Sequence, residues 1–129
     1  MSQPLRVLVA EDEPMNLRRL VRLLEECGCE VAATFGNGPE VEEWLAAGHT
    51  VDALFLDIQM PGLDGLTAGS ILKGDPATSG LKIIALTSFA MQGDEQKFLK
   101  AGFDGYLSKP ISTRELPVLV QQWLEEKQP

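Results

Sequence analysis

Four short apolar segments of this chain each end in polar or charged residues. The segments begin at residues 6, 53, 82 and 105 and are rich in β-forming residues, so each is predicted to be a buried strand. In an open parallel sheet, ligands bind beyond the carboxyl ends of the strands. Three carboxylates, a hydroxyl and an ammonium are therefore expected to meet at one edge of the sheet. The residues at the four segment ends are Glu11-Asp12, Asp57, Thr87-Ser88 and Lys109.

Helical patterns alternate with these strands along the whole chain. The segment 30–34 is predicted to be one more short strand, at an edge of the sheet because no charged pair follows it. The helix near 66–73 is the weakest prediction, because Gly69 lies inside it and Gly74 ends it. The five helices are predicted at residues 15–27, from Pro39 onward, near 66–73, at 94–101 and after Leu116.

The order βαβαβαβαβα predicts an α/β fold with a flavodoxin-like, doubly wound sheet of five parallel strands and five helices. The expected strand order is 2-1-3-4-5, with right-handed crossovers and helices on both faces. In that order the first and third strands are neighbours, so Glu11 and Asp12 are predicted to lie beside Asp57. With 129 residues, the chain 1–129 is expected to be a single domain.

Composition and charge exclude several classes of function. The formal net charge of -8 argues against direct binding of nucleic acid and of anionic membranes. No apolar run approaches the ~18–20 residues of a membrane span, and the first residues do not resemble a signal peptide. Cys27 and Cys29 lack metal or redox spacing and are predicted to be reduced, which favours the cytoplasm.

The predicted acidic cluster has the chemistry of a magnesium site. It contains oxygen ligands and no histidine, and such a set suits Mg²⁺, which shares its coordination shell with water and phosphate. A carboxylate beside Mg²⁺ can attack a phosphoryl group, while Lys109 neutralises the opposite side and Thr87 donates a hydrogen bond. No nucleotide-binding glycine motif is present. The residues therefore predict a phosphoryl acceptor that does not bind a nucleotide.

Over residues ~5–126 the chain resembles the receiver domains of two-component response regulators. Four motifs, in order and on the expected elements, carry this resemblance. They are Val9-Ala10-Glu11-Asp12-Glu13-Pro14, Leu56-Asp57-Ile58-Gln59-Met60-Pro61-Gly62, Ala85-Leu86-Thr87-Ser88 and Tyr106-Leu107-Ser108-Lys109-Pro110.

The resemblance implies a role for each residue at the predicted site. It implies that Asp57 accepts the phosphoryl group and that Lys109 pairs with it. For Mg²⁺ it implies direct ligation by Asp12 and Asp57, contact through water by Glu11 and a bond from the backbone carbonyl of Gln59. Such a domain is a phospho-acceptor that dephosphorylates itself slowly, and is not an enzyme acting on other substrates.

The resemblance also implies a switch and two kinds of protein partner. Thr87 is expected to be drawn toward the phosphate, with Tyr106 rotating inward and changing the surface of the fourth helix, fifth strand and fifth helix. Dimerisation through that surface on phosphorylation is compatible with the sequence. A histidine kinase or histidine phosphotransfer protein is expected to dock on the first helix, near Met15, Asn16, Arg18, Arg19 and Arg22.

Since four residues follow the last predicted helix, output is expected through a protein partner or through an output domain missing from this chain.

Two alternatives of other classes remain at this stage. The chain could instead be a pseudo-receiver that binds partners without phosphorylation, although it retains Asp57 and Lys109. A Mg²⁺-dependent phosphatase would place an aspartate two residues after its nucleophile, where this chain has Gln59.

Overall fold

Strands and helices alternate along the part of the chain that is described by the computed structural model, namely residues 4–58, 74, 80–88, 94–109, 111 and 113–127. Within these ranges there are five strands and four helices, numbered here in chain order. The strands are β1 (Arg6–Ala10), β2 (Glu30–Phe35), β3 (Ala53–Asp57), β4 (Lys82–Thr87) and β5 (Gly105–Ser108). The helices are α1 (Pro14–Glu26), α2 (Gly38–Ala46), α3 (Asp94–Lys100) and α4 (Glu115–Lys127).

All five strands form one parallel sheet in the order β2-β1-β3-β4-β5. The predicted doubly wound α/β fold and its strand order are therefore confirmed, with β2 at an edge. The third predicted helix, near residues 66–73, lies outside the described residues, so α3 and α4 correspond to the fourth and fifth predicted helices.

The central strands are buried on both faces, because alternate side chains enter two separate apolar clusters. On one face, β1 and β3 side chains pack with α1 and α4, with Leu20, Leu24, Leu116 and Val120 from the helices. The opposite cluster contains Val41 from α2 and Phe98 from α3, together with the other half of the strand residues. Helices thus cover both faces, which leaves the carboxyl edge of the sheet accessible.

Local chemistry shifts several element boundaries by one residue from their predicted positions. α1 begins at Pro14, one residue earlier than predicted, because the Glu13 carboxylate accepts hydrogen bonds from the amides of Met15 (3.1 Å) and Asn16 (2.7 Å). Asp57 and Thr87 are themselves the last residues of their strands, whereas the sequence predicted them just beyond the strand ends.

Two further sequence predictions concern the cysteines and membrane spans. Cys27 caps the end of α1 and Cys29 precedes β2, and both are free thiols. Among the described residues, every helix is too short or too polar to cross a bilayer.

Candidate functional site

The register of the sheet brings the ends of the central strands to one level. Ala10 of β1 is paired with Leu56 of β3, so the residue after each lies at the same edge. Asp57 in turn is paired with Leu86 of β4, one residue before Thr87. Glu11 and Asp57 therefore lie side by side at the carboxyl edge because β1 and β3 are neighbours in register.

Lys109 joins the two buried carboxylates of this edge. Its Nζ lies 2.7 Å from Oε1 of Glu11 and 3.0 Å from Oδ2 of Asp57. Its backbone amide donates to the carbonyl of Thr87 at 2.8 Å, which fixes the residue at the end of β5. Although burial lowers the pKa of the Lys109 amino group, its hydrogen bonds to Glu11 and Asp57 raise it above its ordinary value. The ammonium form is therefore the stable one at this position.

The carboxyl group of Glu11 is buried at the site, and its pKa is strongly shifted. It is only 2% exposed, and its Oε2 has no hydrogen-bond partner among the described residues. Burial, followed by the closeness of Asp57, raises the pKa of Glu11 to about 7, against the opposing effect of Lys109. A buried carboxylate oxygen without a donor is costly, and a divalent cation or a cation-bound water would satisfy it.

The acidic residues are arranged as a potential cation site. One carboxylate oxygen from each of Glu11, Asp12 and Asp57 lies within 4.8 Å of the other two. Glu11 and Asp57 are buried whereas Asp12 is exposed, so the cluster is closed on one side and open to solvent on the other. This oxygen-only set, with the unsatisfied Oε2 of Glu11, fits Mg²⁺ and leaves room for water and substrate oxygens.

The other predicted site residues differ in their surroundings. Thr87 is buried at the end of β4. Tyr106 is half-buried on β5 and packs against the cluster around Phe98, with 5.5 Å between the two ring centroids. It therefore contacts α3. Gln59, predicted to offer its carbonyl to the metal, lies outside the described residues.

The first turns of α1 form an exposed surface beside the site. Met15 and Arg18 are exposed, and both line an open groove of about 520 Å³ along the helix. Because Glu13 caps the helix only two residues after Glu11, the groove begins next to the acidic cluster. The basic residues predicted on α1 are thus placed near the site.

Two contacts of the site are more specific than the sequence predicted. One is the pairing of Lys109 with Glu11, since the ammonium was expected beside the carboxylates but the sequence did not specify which of them it would contact. The other is a hydrogen bond from the guanidinium of Arg19 to the carbonyl of Ile111, at 3.2 Å. Both join segments more than 90 residues apart, with separations of 98 and 92, and depend on tertiary packing.

Comparisons of the sequence and of the structure with known proteins both find response regulators and receiver domains. Residues 7–121 match the family model described as the response regulator receiver domain. The chain is 36% identical, over 94% of its length and 97% of the relative's, to the polar-differentiation response regulator DivK of Brucella anthropi. It is 38% identical over 95% of its length to the sensor protein GacS of Pseudomonas syringae pv. syringae, but spans only 14% of that protein.

Solved structures of similar shape cover nearly the whole chain. A putative response regulator from Chloroflexus aurantiacus superposes with a TM-score of 0.85 at 28% identity, covering 95% of this chain and 99% of the other. The receiver domain of sensor histidine kinase PA1611 from Pseudomonas aeruginosa has a TM-score of 0.81 at 30% identity, with the same coverage. That structure has a magnesium ion coordinated in its active-site cleft.

Proposed function

This chain belongs to the response regulator receiver family, and we propose that it accepts a phosphoryl group onto Asp57 from a phosphohistidine of a partner protein. One observation carries the proposal. The Asp57 carboxylate lies at the end of a central strand, 3.0 Å from the ammonium of Lys109 and within a cluster of two further acidic side chains. A nucleophile, a neutralising cation and a potential metal site are therefore together.

The proposed step transfers one phosphoryl group between two side chains. An oxygen of the Asp57 carboxylate attacks phosphorus, the bond from phosphorus to the partner's histidine nitrogen breaks, and the electron pair stays on the imidazole. Lys109 donates a hydrogen bond to a phosphoryl oxygen and balances its charge. The product is an acyl phosphate on Asp57, which water hydrolyses slowly, so the domain is a signalling module and not a classical enzyme.

We propose Mg²⁺ as the cofactor of this site. Asp12 and Asp57 would ligate it directly with the backbone carbonyl of Gln59, and Glu11 would hold it through water. Mg²⁺, when bound, supplies charge neutralisation for the phosphoryl oxygens. The three clustered carboxylates and the unsatisfied Oε2 of Glu11 support this assignment.

The proposed output is a change in the surface formed by α3, β5 and α4. Thr87 would follow the phosphoryl group, and Tyr106 would rotate inward from its half-buried position beside Phe98. Next to Tyr106, α4 and β5 border an open groove of about 380 Å³, in which Val118 is 68% exposed. A downstream protein, an output domain of a longer protein, or a second phosphorylated copy would bind there.

The phosphoryl donor is proposed to dock on α1. Receiver domains pair with histidine kinases or phosphotransfer proteins. Arg18 and the exposed Met15 border the groove that begins beside the acidic cluster, so a docked donor would bring its phosphohistidine to Asp57. We further propose that residues 1–129 form one receiver domain and that its free cysteines suit the cytoplasm.

Intact mass spectrometry after incubation with acetyl phosphate tests the proposal. We expect one added phosphoryl group, only when Mg²⁺ is present and only when Asp57 is intact. Asp57→Asn is the test variant, and Glu25→Gln, which neutralises an exposed carboxylate on α1, is the control and should be phosphorylated normally.

Other outcomes would support the other classes of function. Absence of both an adduct and Mg²⁺-dependent beryllofluoride binding would contradict the proposal and favour a pseudo-receiver. Repeated release of phosphate from added phosphomonoesters would favour a phosphatase.

A further inference from the structure

A side chain of α1 is tied to the loop that carries Lys109. The Nη2 of Arg19 donates a hydrogen bond to the carbonyl oxygen of Ile111 at 3.2 Å. Ile111 comes two residues after Lys109 and is only 6% exposed, with its side chain in the same apolar cluster as Leu20. The guanidinium therefore holds the backbone of this loop from the α1 side.

Two hydrogen bonds thus hold described residues of this segment, one at Lys109 itself and one at Ile111. The Lys109 amide donates to the Thr87 carbonyl at 2.8 Å, and Arg19 holds the Ile111 carbonyl. Lys109, Ile111 and Arg19 line one small pocket of about 10 Å³. These three residues therefore lie close to one another.

Arg22 of α1 does not share this geometry. It lies three residues further along and pairs with Glu26 of the same helix at 3.2 Å, as expected for an i, i+4 pair on an exposed face. The bond from Arg19 instead spans 92 residues and joins α1 to a residue that follows β5. A solvated basic stripe would not require such a contact.

We propose that Arg19 is a positioning residue for Lys109. By holding the Ile111 carbonyl against α1, it keeps the Lys109 ammonium aimed at Asp57 and Glu11, where a phosphoryl group would be received. The inference rests on the proposed function for its effect on phosphorylation. It assigns to Arg19 a role inside the domain, which is separate from any contact that the residue makes with a docked donor.

The test uses a small phosphoryl donor, so that docking of a partner has no influence. Arg19→Met removes the donor group and keeps an unbranched side chain. With acetyl phosphate and saturating Mg²⁺, we expect it to slow phosphorylation about threefold to tenfold, in the range of the net contribution of one ordinary hydrogen bond. Lys97→Met, which removes an exposed cation from α3, is the matched control and should change the rate less than about twofold.

Two readouts separate positioning from a general loss of structure. Mg²⁺ should still bind to Arg19→Met in the absence of a phosphoryl donor, because the ends of β1 and β3, and not Arg19, place the three carboxylates. In a Lys109→Met background the same substitution should have no further effect on the phosphorylation rate, since the residue that it positions is gone.

The outcomes also separate this inference from the proposed function. If the native chain is phosphorylated and Arg19→Met reacts at the native rate, or if its slowing persists in Lys109→Met, the inference is wrong and the proposed function stands. If the native chain takes no phosphoryl group, the NMR resonances of the Lys109 ε-methylene group still test whether Arg19 positions Lys109. Positioning requires that Arg19→Met shift them and that Lys97→Met leave them in place.

Discussion

The ammonium of Lys109 lies closer to Glu11, at 2.7 Å, than to the proposed phosphoryl acceptor Asp57, at 3.0 Å. A single cation therefore compensates two buried carboxylates, and Asp12 adds a third negative charge beside them. Among the described residues this cluster has an excess of negative charge, which a divalent cation would balance and a phosphoryl group alone would increase. The first three predictions below follow from this imbalance.

Mg²⁺ is expected to stabilise the fold. Because the cation binds the assembled cluster and not the unfolded chain, a concentration of 100 times its dissociation constant should add about 2.7 kcal/mol to the free energy of unfolding. Urea unfolding with Mg²⁺ and with EDTA measures this. The increase should disappear in Asp57→Asn and remain in Glu25→Gln; an equal increase in both variants would place the bound cation elsewhere.

Removing the cation of the site should destabilise the metal-free protein. Lys109→Met leaves Glu11 and Asp57 buried without their shared partner, and loss of one member of a buried pair costs several kcal/mol. Since the Lys109 side chain retains 12% exposure, we expect roughly 2–3 kcal/mol. Lys97→Met should change the free energy of unfolding by less than about 0.5 kcal/mol. Similar losses in the two variants would show that the ion pairs contribute nothing specific.

Stability of the metal-free protein should fall as the pH rises from mildly acidic to neutral. The pKa of Glu11 is raised from 4.5 to about 7 in the folded chain, so the folded state holds a proton that the unfolded state releases. This contribution is fully present below about pH 4.5 and is lost as the pH rises through about 7. Urea unfolding in EDTA at several pH values should show a smaller decline for Glu11→Gln than for the native chain. Parallel pH curves would contradict the assigned cause.

The two cysteines should react slowly in the folded protein. Burial raises the pKa of the Cys29 thiol to about 11, and burial raises that of Cys27 as well. Because the thiolate is the reactive form, Cys29 should be alkylated only when the chain unfolds. Peptide mass spectrometry after iodoacetamide treatment, with and without urea, measures each site. Native-state alkylation of Cys29 at the rate of a free thiol would show that the β2 edge opens.

The sequence predicted the sheet and the acidic cluster because both depend on short-range patterns. Each apolar run is one strand long, and the strand order 2-1-3-4-5 makes β1 and β3 neighbours, so that Glu11 and Asp57 lie at adjacent strand ends. A polar residue that follows an apolar run can be recognised from the sequence without knowing how the side chains pack. The roles of Asp57, Thr87 and Tyr106 came from the family resemblance and stay predictions.

The contacts of Lys109 and Arg19 could not be predicted in the same way. Lys109 bonds Glu11 across two intervening strands. Arg19 donates to a backbone carbonyl, a group that every residue has, so the sequence does not indicate which one it will contact. An arginine on an exposed helical face is compatible with a solvated side chain, a docking residue or an intramolecular contact. Only the packing of α1 against the loop after β5 distinguishes these three.

Chemical location of the phosphoryl group tests the central claim most directly. After incubation with acetyl phosphate and Mg²⁺, reduction with borohydride converts a phosphorylated aspartate to homoserine, which tandem mass spectrometry locates in the sequence. We predict homoserine at position 57 alone, absent without Mg²⁺. Homoserine at position 12, or at no position in a chain that remains folded, would contradict the proposed role of Asp57.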